Sequence, residues 1–186
     1  MSQEYKKDRQ WSDEIFYDKS AADFIYHINK SNIFGEVIDL VPASIEDDNI
    51  FNIDTHINGD PTQVRVQREK NKKSEKYNPT IRYGRPHDTD TEVSKMIKKY
   101  DEYVETGNIR LPKFLLWALV DEKYKVVNLK IINLFDLLSD RKATHNNKKD
   151  YRMKDDKDKF SYKENGDGTS FLIIETDKYT VYDYEL

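Results

Sequence analysis

Two neighbouring apolar segments constrain the fold of this chain most strongly. Residues 114–121 read FLLWALVD and residues 125–132 read KVVNLKII, with a short turn near Glu122 between them. Apolar runs of this length, rich in branched and aromatic side chains, are typical of strands buried in a sheet. We therefore expect two consecutive core strands here, with Trp117 in the protein interior.

The overall composition indicates one folded domain. Only 37% of the 186 residues are hydrophobic and 35% are charged, but the chain contains 13 Tyr, 8 Phe and 2 Trp. Aromatic side chains bury large areas, so this content favours a packed core over a disordered chain. The absence of cysteine excludes disulfides, thiolate zinc sites, iron–sulfur clusters and cysteine nucleophiles.

The sequence predicts a cytoplasmic protein with no membrane partner. No apolar run approaches the ~20 residues that a membrane-spanning helix needs. The first residues, MSQEYKKDRQWSDE, contain no apolar segment of the kind found in signal peptides. The net charge is −4, so any binding to nucleic acid must depend on a local basic patch.

The pattern of apolar residues predicts an α+β (α/β-like) fold with a central mixed sheet flanked by helices. Apolar residues recur at helical spacing over 10–30 and 90–106, and Thr89 with Glu92 fits a capping box for the second helix. Residues 50–68 alternate around the turn Asn58–Pro61, which predicts a β-hairpin. The other predicted elements are strands at 36–42 and 79–85, a short helix at 133–140 and strands in the tail.

The composition changes twice along the chain without marking a second domain. Residues 1–140 would form the core, and residues 141–159, rich in Lys, Arg, Asp and Asn, would form a solvated charged loop. Residues 160–186 would add a C-terminal β extension to the same domain. Its tyrosines could contact a partner protein, but packing against the domain's own sheet is the favoured interpretation.

The most informative segment for function is 64–85. It contains eight basic residues and two acidic ones, a local charge of +6 in a protein of net charge −4. Such a patch favours phosphate ligands, and interleaved tyrosines could stack on bases. A solubilising loop explains the lysines equally well, but arginines inside predicted strands need a partner or a ligand. The predicted phosphate-binding residues are Arg65, Arg68, Arg82 and Arg85.

The predicted hairpin also brings a carboxylate opposite polar side chains. Asp54 lies on one strand, and Gln63, Arg65 and Gln67 share one face of the next. An acid in this position can bind Mg²⁺ while a neighbouring cation or amide orients a phosphate or a water molecule. A second acid would come from Glu36, Glu69 or Glu92. The alternatives are a salt bridge between Asp54 and Arg65 and a helix-capping role for Glu92.

The order and spacing of these motifs resemble the PD-(D/E)XK nuclease-like superfamily, and especially a group of largely phage-borne proteins within it. The resemblance covers about residues 10–138 and rests on Val64–Arg68, Thr80–Arg82 and Thr91-Glu92-x-x-Lys95. It implies a restriction-endonuclease-like core and a Mg²⁺-dependent phosphodiesterase acting on nucleic acid. The implied catalytic residues are Asp54, Gln67, Glu92 and Lys95, and the implied metal ligands are Asp54, Glu92 and Glu36.

The chain departs from the superfamily pattern on the second strand of the hairpin. A working nuclease there has an acid followed by Lys, whereas this chain has Gln63-Val-Arg65 or Arg65-Val-Gln67. Either Glu92 replaces the missing acid, or the protein has a nuclease fold that no longer cuts. The alternative function is therefore a non-catalytic phage accessory or counter-defence protein that binds a nucleotide, a nucleic acid or a host protein.

Overall fold

The fold is taken from a computed structural model, which describes residues 21–32, 40–44, 46, 53–69, 77–84, 92–140, 160–175 and 177–185. The described helices are α1 (Ala21–Ser31), α2 (Glu92–Thr106) and α3 (Leu134–Ser139). The described strands are β1 (Leu40–Pro42), β2 (Thr55–Ile57), β3 (Asp60–Arg68), β4 (Thr80–Gly84), β5 (Phe114–Val120), β6 (Val126–Asn133), β7 (Phe160–Glu164), β8 (Ser170–Ile174) and β9 (Thr180–Glu185).

Six of these strands form a mixed sheet in the order β1-β2-β3-β5-β6-β9. The β3–β5 pair is parallel and the other neighbours are antiparallel. A parallel pair needs a crossover connection, and the chain between β3 and β5 contains β4 and α2. The predicted α+β class with a mixed sheet is confirmed.

The remaining strands form a second, antiparallel sheet in the order β4-β8-β7. The sequence predicted a strand at 79–85 but did not separate it from the central sheet. In the structure, β4 pairs with β8 of the tail, with Thr80 opposite Ile173. The segment 160–185 therefore contributes strands to both sheets, since β9 pairs with β6 in the central one.

Two apolar cores lie on opposite faces of the central sheet. Alternate residues of β5, such as Leu116 and Ala118, face the first core, where Ile28 of α1 packs against them. Leu115 of β5 faces the second core. Most other residues of the second core come from α2, α3, β4, β6 and β8 and include Val93, Met96, Leu137, Ile81, Ile132 and Ile174. Trp117 is 1% exposed, so its predicted burial is confirmed.

The predicted hairpin is confirmed, with a shorter turn than expected. Asn58 and Gly59 have φ angles of 50° and 84°, and Ile57 pairs with Asp60 on either side of them. Two consecutive residues with positive φ are typical of the type I′ turn, which matches the twist of the flanking strands. Asp60 and Pro61, predicted in the turn, belong to β3.

The helix predicted at 90–106 is also confirmed from Glu92 to Thr106. Gly107 follows it with a φ of 73°, and its N–H donates to the carbonyl of Tyr103 at 2.7 Å, as expected for a glycine that ends a helix. No described helix is long and apolar enough to span a membrane. The predictions for residues 10–20, 36–39 and 141–159, and the cap at Thr89, lie outside the described residues.

Candidate functional site

Asp54 lies at the point where β1, β2 and β3 come together. It directly precedes β2, and its Oδ2 accepts a hydrogen bond from the backbone N–H of Val64 on β3 at 2.7 Å. Its own N–H donates to the carbonyl of Thr62 at 3.0 Å, and its carbonyl accepts from Ala43 at 3.2 Å. The backbone pairing of β2 with β3 ends at Thr55 opposite Thr62. The Asp54 carboxylate therefore accepts a hydrogen bond from β3 where a backbone carbonyl would accept one if the pairing of β2 with β3 continued.

Gln63, Arg65 and Gln67 lie on the sheet face opposite the first core. Val64 and Val66 pack against the first core, so alternation along β3 directs the three polar side chains to the other side. Gln63 is 3% exposed, whereas Arg65 and Gln67 are half-buried. The sequence predicted this grouping, and Asp54 contacts β3 between Gln63 and Arg65.

A row of charged and aromatic residues runs across the sheet from Arg65. Arg65 of β3 pairs with Trp117 of β5, Trp117 with Lys130 of β6, and Lys130 with Asp183 of β9. Directly paired residues project from the same face of a sheet. We refer to Gln63, Arg65, Gln67 and Lys130, which project from this side, as the Arg65 face.

Lys130 is a charged residue of this face that the sequence interpretation overlooked. Its Nζ lies 2.9 Å from Asp177 Oδ1 and 2.9 Å from Asp183 Oδ2. Burial lowers the pKa of Lys130, but the hydrogen bonds and charges of the two aspartates outweigh it and raise the pKa above the usual value. A lysine inside the apolar run KVVNLKII was the available signal, by the same reasoning that had selected Arg65.

Arg68 lies on the opposite side of the sheet from Arg65. Its guanidinium carbon is 4.7 Å from the ring centroid of Tyr124, and it also donates a hydrogen bond to the Tyr124 hydroxyl. Tyr124 packs against the first core, which fixes the side on which this pair lies. Arg65 and Arg68 are therefore not presented together to one ligand.

Arg82 belongs to the second sheet, where it pairs with Phe171 of β8. Its neighbour Ile81 is buried in the second core, so alternation places Arg82 on the other face of that sheet. The side chain of Arg82 is half-buried. Arg85, the fourth predicted phosphate-binding residue, lies outside the part of the chain that the structure describes.

The predicted helix pair is described only in part. Lys95 is exposed on α2, while Val93 and Met96 on the same helix are buried in the second core. Glu92 is the first residue of α2, but its side chain is among those that the structure does not describe, and Glu36 is not described at all. Asp54 is therefore the only one of the three predicted metal ligands whose side chain has a described position.

The described residues do not supply the other ligands of a divalent cation beside Asp54. Within the described ranges, no three His, Asp or Glu side chains are grouped so that they could hold a metal ion. Glu69, an alternative second acid, is exposed and lies beyond the end of β3, about 17 Å along the strand from Val64. Neither side chain can span that distance, so Glu69 cannot share one ion with Asp54.

In comparisons with known proteins, no protein-family model, no curated protein and no solved structure matches this chain. The geometry of the central sheet therefore carries the functional argument.

Proposed function

We propose that this PD-(D/E)XK-like protein binds the phosphate backbone of nucleic acid on the Arg65 face and does not cut it. The observation that carries the proposal is the placement of Arg65 between two glutamines on one face of β3, while Val64 and Val66 pack against the first core on the other face. A guanidinium binds phosphate through two parallel hydrogen bonds, and the half-buried amide of Gln67 can supply a further donor.

The order of the described elements supports the relationship to nucleases. A helix is followed by an antiparallel run of three strands, then by a crossover that contains α2, and then by β5 parallel to β3. The resemblance rests on a helix, a hairpin with an acid before a polar strand, a second helix and two further strands, and the described elements include these in that order. Asp54 directly precedes β2 and accepts a hydrogen bond from β3, and the resemblance implies a metal-binding acid on the strand before the polar one.

The identity of residue 65 favours binding over cleavage. In a cutting enzyme of this superfamily the equivalent strand carries an acid that holds the metal, whereas this chain has a cation there. One oxygen of Asp54 is already used by the Val64 amide. The described residues thus do not fit a Mg²⁺ site. In the proposed mode of binding, Arg65 contacts the phosphate directly and no metal ion is needed.

The matched pair Arg65 and Arg68 tests the proposal because both are arginines of β3 on opposite faces. We expect Arg65→Ala to weaken binding to DNA or RNA about tenfold and to reduce the slope of log affinity against log salt by about 1, as expected for one lost phosphate contact. Arg68→Ala should change the affinity and the salt slope much less. Fluorescence anisotropy at several salt concentrations measures these values, and Arg65→Gln serves as a second variant in case Arg65→Ala fails to fold.

Two results would contradict the binding proposal. Equal losses in the Arg65 and Arg68 variants would show that the effect is general electrostatics. Binding by the wild-type protein that does not change with salt would show that phosphate is not the ligand.

A second candidate function is Mg²⁺-dependent cleavage, favoured by the location of Asp54 beside β3. Asp54 would then bind the metal together with Glu92 or Glu36, and Lys95 and Gln67 would be the further catalytic residues that the resemblance implies. Cleavage of DNA or RNA by the wild type with Mg²⁺ or Mn²⁺, abolished in Asp54→Asn, would support this candidate and contradict the binding-only proposal.

A further inference from the structure

Among the described side chains of helix α1, Ile28 and Asp23 contact the central sheet, and the backbone of His27 adds a further contact. Ile28 is 1% exposed and packs in the first core. The Tyr182 hydroxyl of β9 donates to the carbonyl of His27 at 3.1 Å, and Asp23 forms an ion pair with Lys125 at 3.0 Å. A helix of 11 residues is marginal in isolation, so the helicity of α1 depends on these contacts.

The imidazole of His27 is a central part of this attachment. Its ring lies 4.0 Å from the ring of Tyr184 on β9, centroid to centroid, with an angle of 31° between the planes. The ring of Tyr26 contacts it edge-on at 5.2 Å. His27 is half-buried, so its ring has lost part of its hydration.

Among the described residues, three charged side chains act on His27. Asp23 and Lys30 lie on α1, and Lys125 lies just before β6. β6 presents the apolar residues Val126, Leu129 and Ile131 to the first core. On β9 the tyrosines Tyr182 and Tyr184 face His27, whereas Asp183 binds Lys130 on the other side of the sheet.

These surroundings disfavour the protonated imidazole. Burial lowers the pKa of His27, Asp23 raises it, and Lys30 and Lys125 lower it, with a net shift below the usual value of 6.5. We propose that His27 is a pH-sensitive latch, in which protonation of the imidazole loosens α1 from β9 and from the first core.

The direction of the effect follows from proton linkage. Because the pKa of His27 is lower in the folded protein, the unfolded or detached helix binds more protons at acidic pH. Attachment of α1 is therefore fully stable above about pH 6.5 and weakens as the pH falls through the lowered pKa. Each unit of pKa shift corresponds to about a tenfold change in the docking equilibrium.

NMR of the full chain tests the latch with two variants. We expect the hydrogen-exchange protection factors of α1 amides to fall between about pH 7.5 and about pH 5 in the wild type. His27→Phe keeps a ring against Tyr184 but cannot titrate, so its α1 protection should be independent of pH. His56→Gln, on β2, is the matched control and should behave as the wild type does.

Two outcomes would overturn the latch. One is a His27→Phe variant whose α1 protection changes with pH as much as that of the wild type. The other is a wild-type pKa of His27, measured from its ring resonances, at or above 6.5, which would mean that the Tyr184 ring stabilises the imidazolium. The second measurement decides the question even if His27→Phe does not fold.

Discussion

The Asp54 carboxylate accepts a hydrogen bond from the backbone N–H of Val64 at 2.7 Å. This contact lies where the backbone pairing of β2 with β3 ends, and it extends the ladder by one bond. A residue that the sequence suggested for catalysis thus has a structural role in joining the two strands next to Arg65.

Replacing Asp54 separates its structural role from its charge. Asp54→Ala leaves the half-buried Val64 N–H without its acceptor, and we expect the free energy of unfolding to fall by about 1–3 kcal/mol. Asp54→Asn retains a side-chain oxygen as acceptor, so its free energy of unfolding should fall by less. Urea denaturation measures both values, and equal losses would show that the hydrogen bond to Val64 is not the reason.

Metal dependence distinguishes the two candidate functions. If the Arg65 face binds phosphates without a metal, adding EDTA should leave the affinity of the wild type for nucleic acid unchanged, and Mg²⁺ should act only as added salt. The measurement is anisotropy with and without Mg²⁺ at constant ionic strength. Affinity that requires Mg²⁺ and is lost in Asp54→Asn would instead support a metal site.

Lys130 should stabilise the attachment of β9 through its two aspartates. We expect Lys130→Met to reduce the free energy of unfolding by about 1 kcal/mol, since Asp177 and Asp183 are both exposed and regain water. Lys163→Met, at an exposed position on β7, is the matched control and should change little. Thermal or urea denaturation of the three proteins provides the comparison.

The contribution of the Lys130 ion pairs to the free energy of unfolding should also depend on pH. The pKa of Lys130 is raised above 10.5 in the folded protein, so the contribution is complete below about pH 10 and is lost as the pH rises through the folded value. The difference in stability between wild type and Lys130→Met should therefore narrow at strongly alkaline pH. A difference that stays constant would show that the ion pairs contribute nothing.

The turn at Gly59 should tolerate substitution poorly. Its φ is 84°, a conformation that costs a residue with a Cβ about 1–2 kcal/mol, so Gly59→Ala should lower the stability by that amount. An added Cβ would meet nothing within 4 Å, so strain in the backbone is the sole cause. Gly166→Ala, where the space is equally open and φ is not positive, should have a smaller effect.

Much of the local structure could be predicted because it depends on neighbouring residues. The Asn58-Gly59 pair specifies the hairpin turn, the spacing of Val93 and Met96 specifies the buried side of α2, and the apolar run around Trp117 specifies a core strand. The tyrosines of the C-terminal segment pack against the domain's own sheet, which was the favoured interpretation. Tyr182 and Tyr184 pack against the first core, and Tyr179 lies in the second.

The placement of the arginines was harder to predict, for two different reasons. Arg65 and Arg68 are three residues apart on one strand, so the two-residue repeat alone shows that they face opposite sides. That information was in the sequence. The separation of Arg82 was not, because the pairing of β4 with β8 depends on residues some ninety positions away, and no local pattern reports it.

Both sheets depend on strands that are synthesised well after the strands they pair with. In the described part of the chain, β6 gains its outer neighbour only when β9 emerges, and β4 gains β8 only when the same tail does. Contacts between segments so distant along the chain form slowly. During translation the nascent protein therefore presents open strand edges until this tail has left the ribosome, and that interval is when chaperone capture or aggregation would compete with folding.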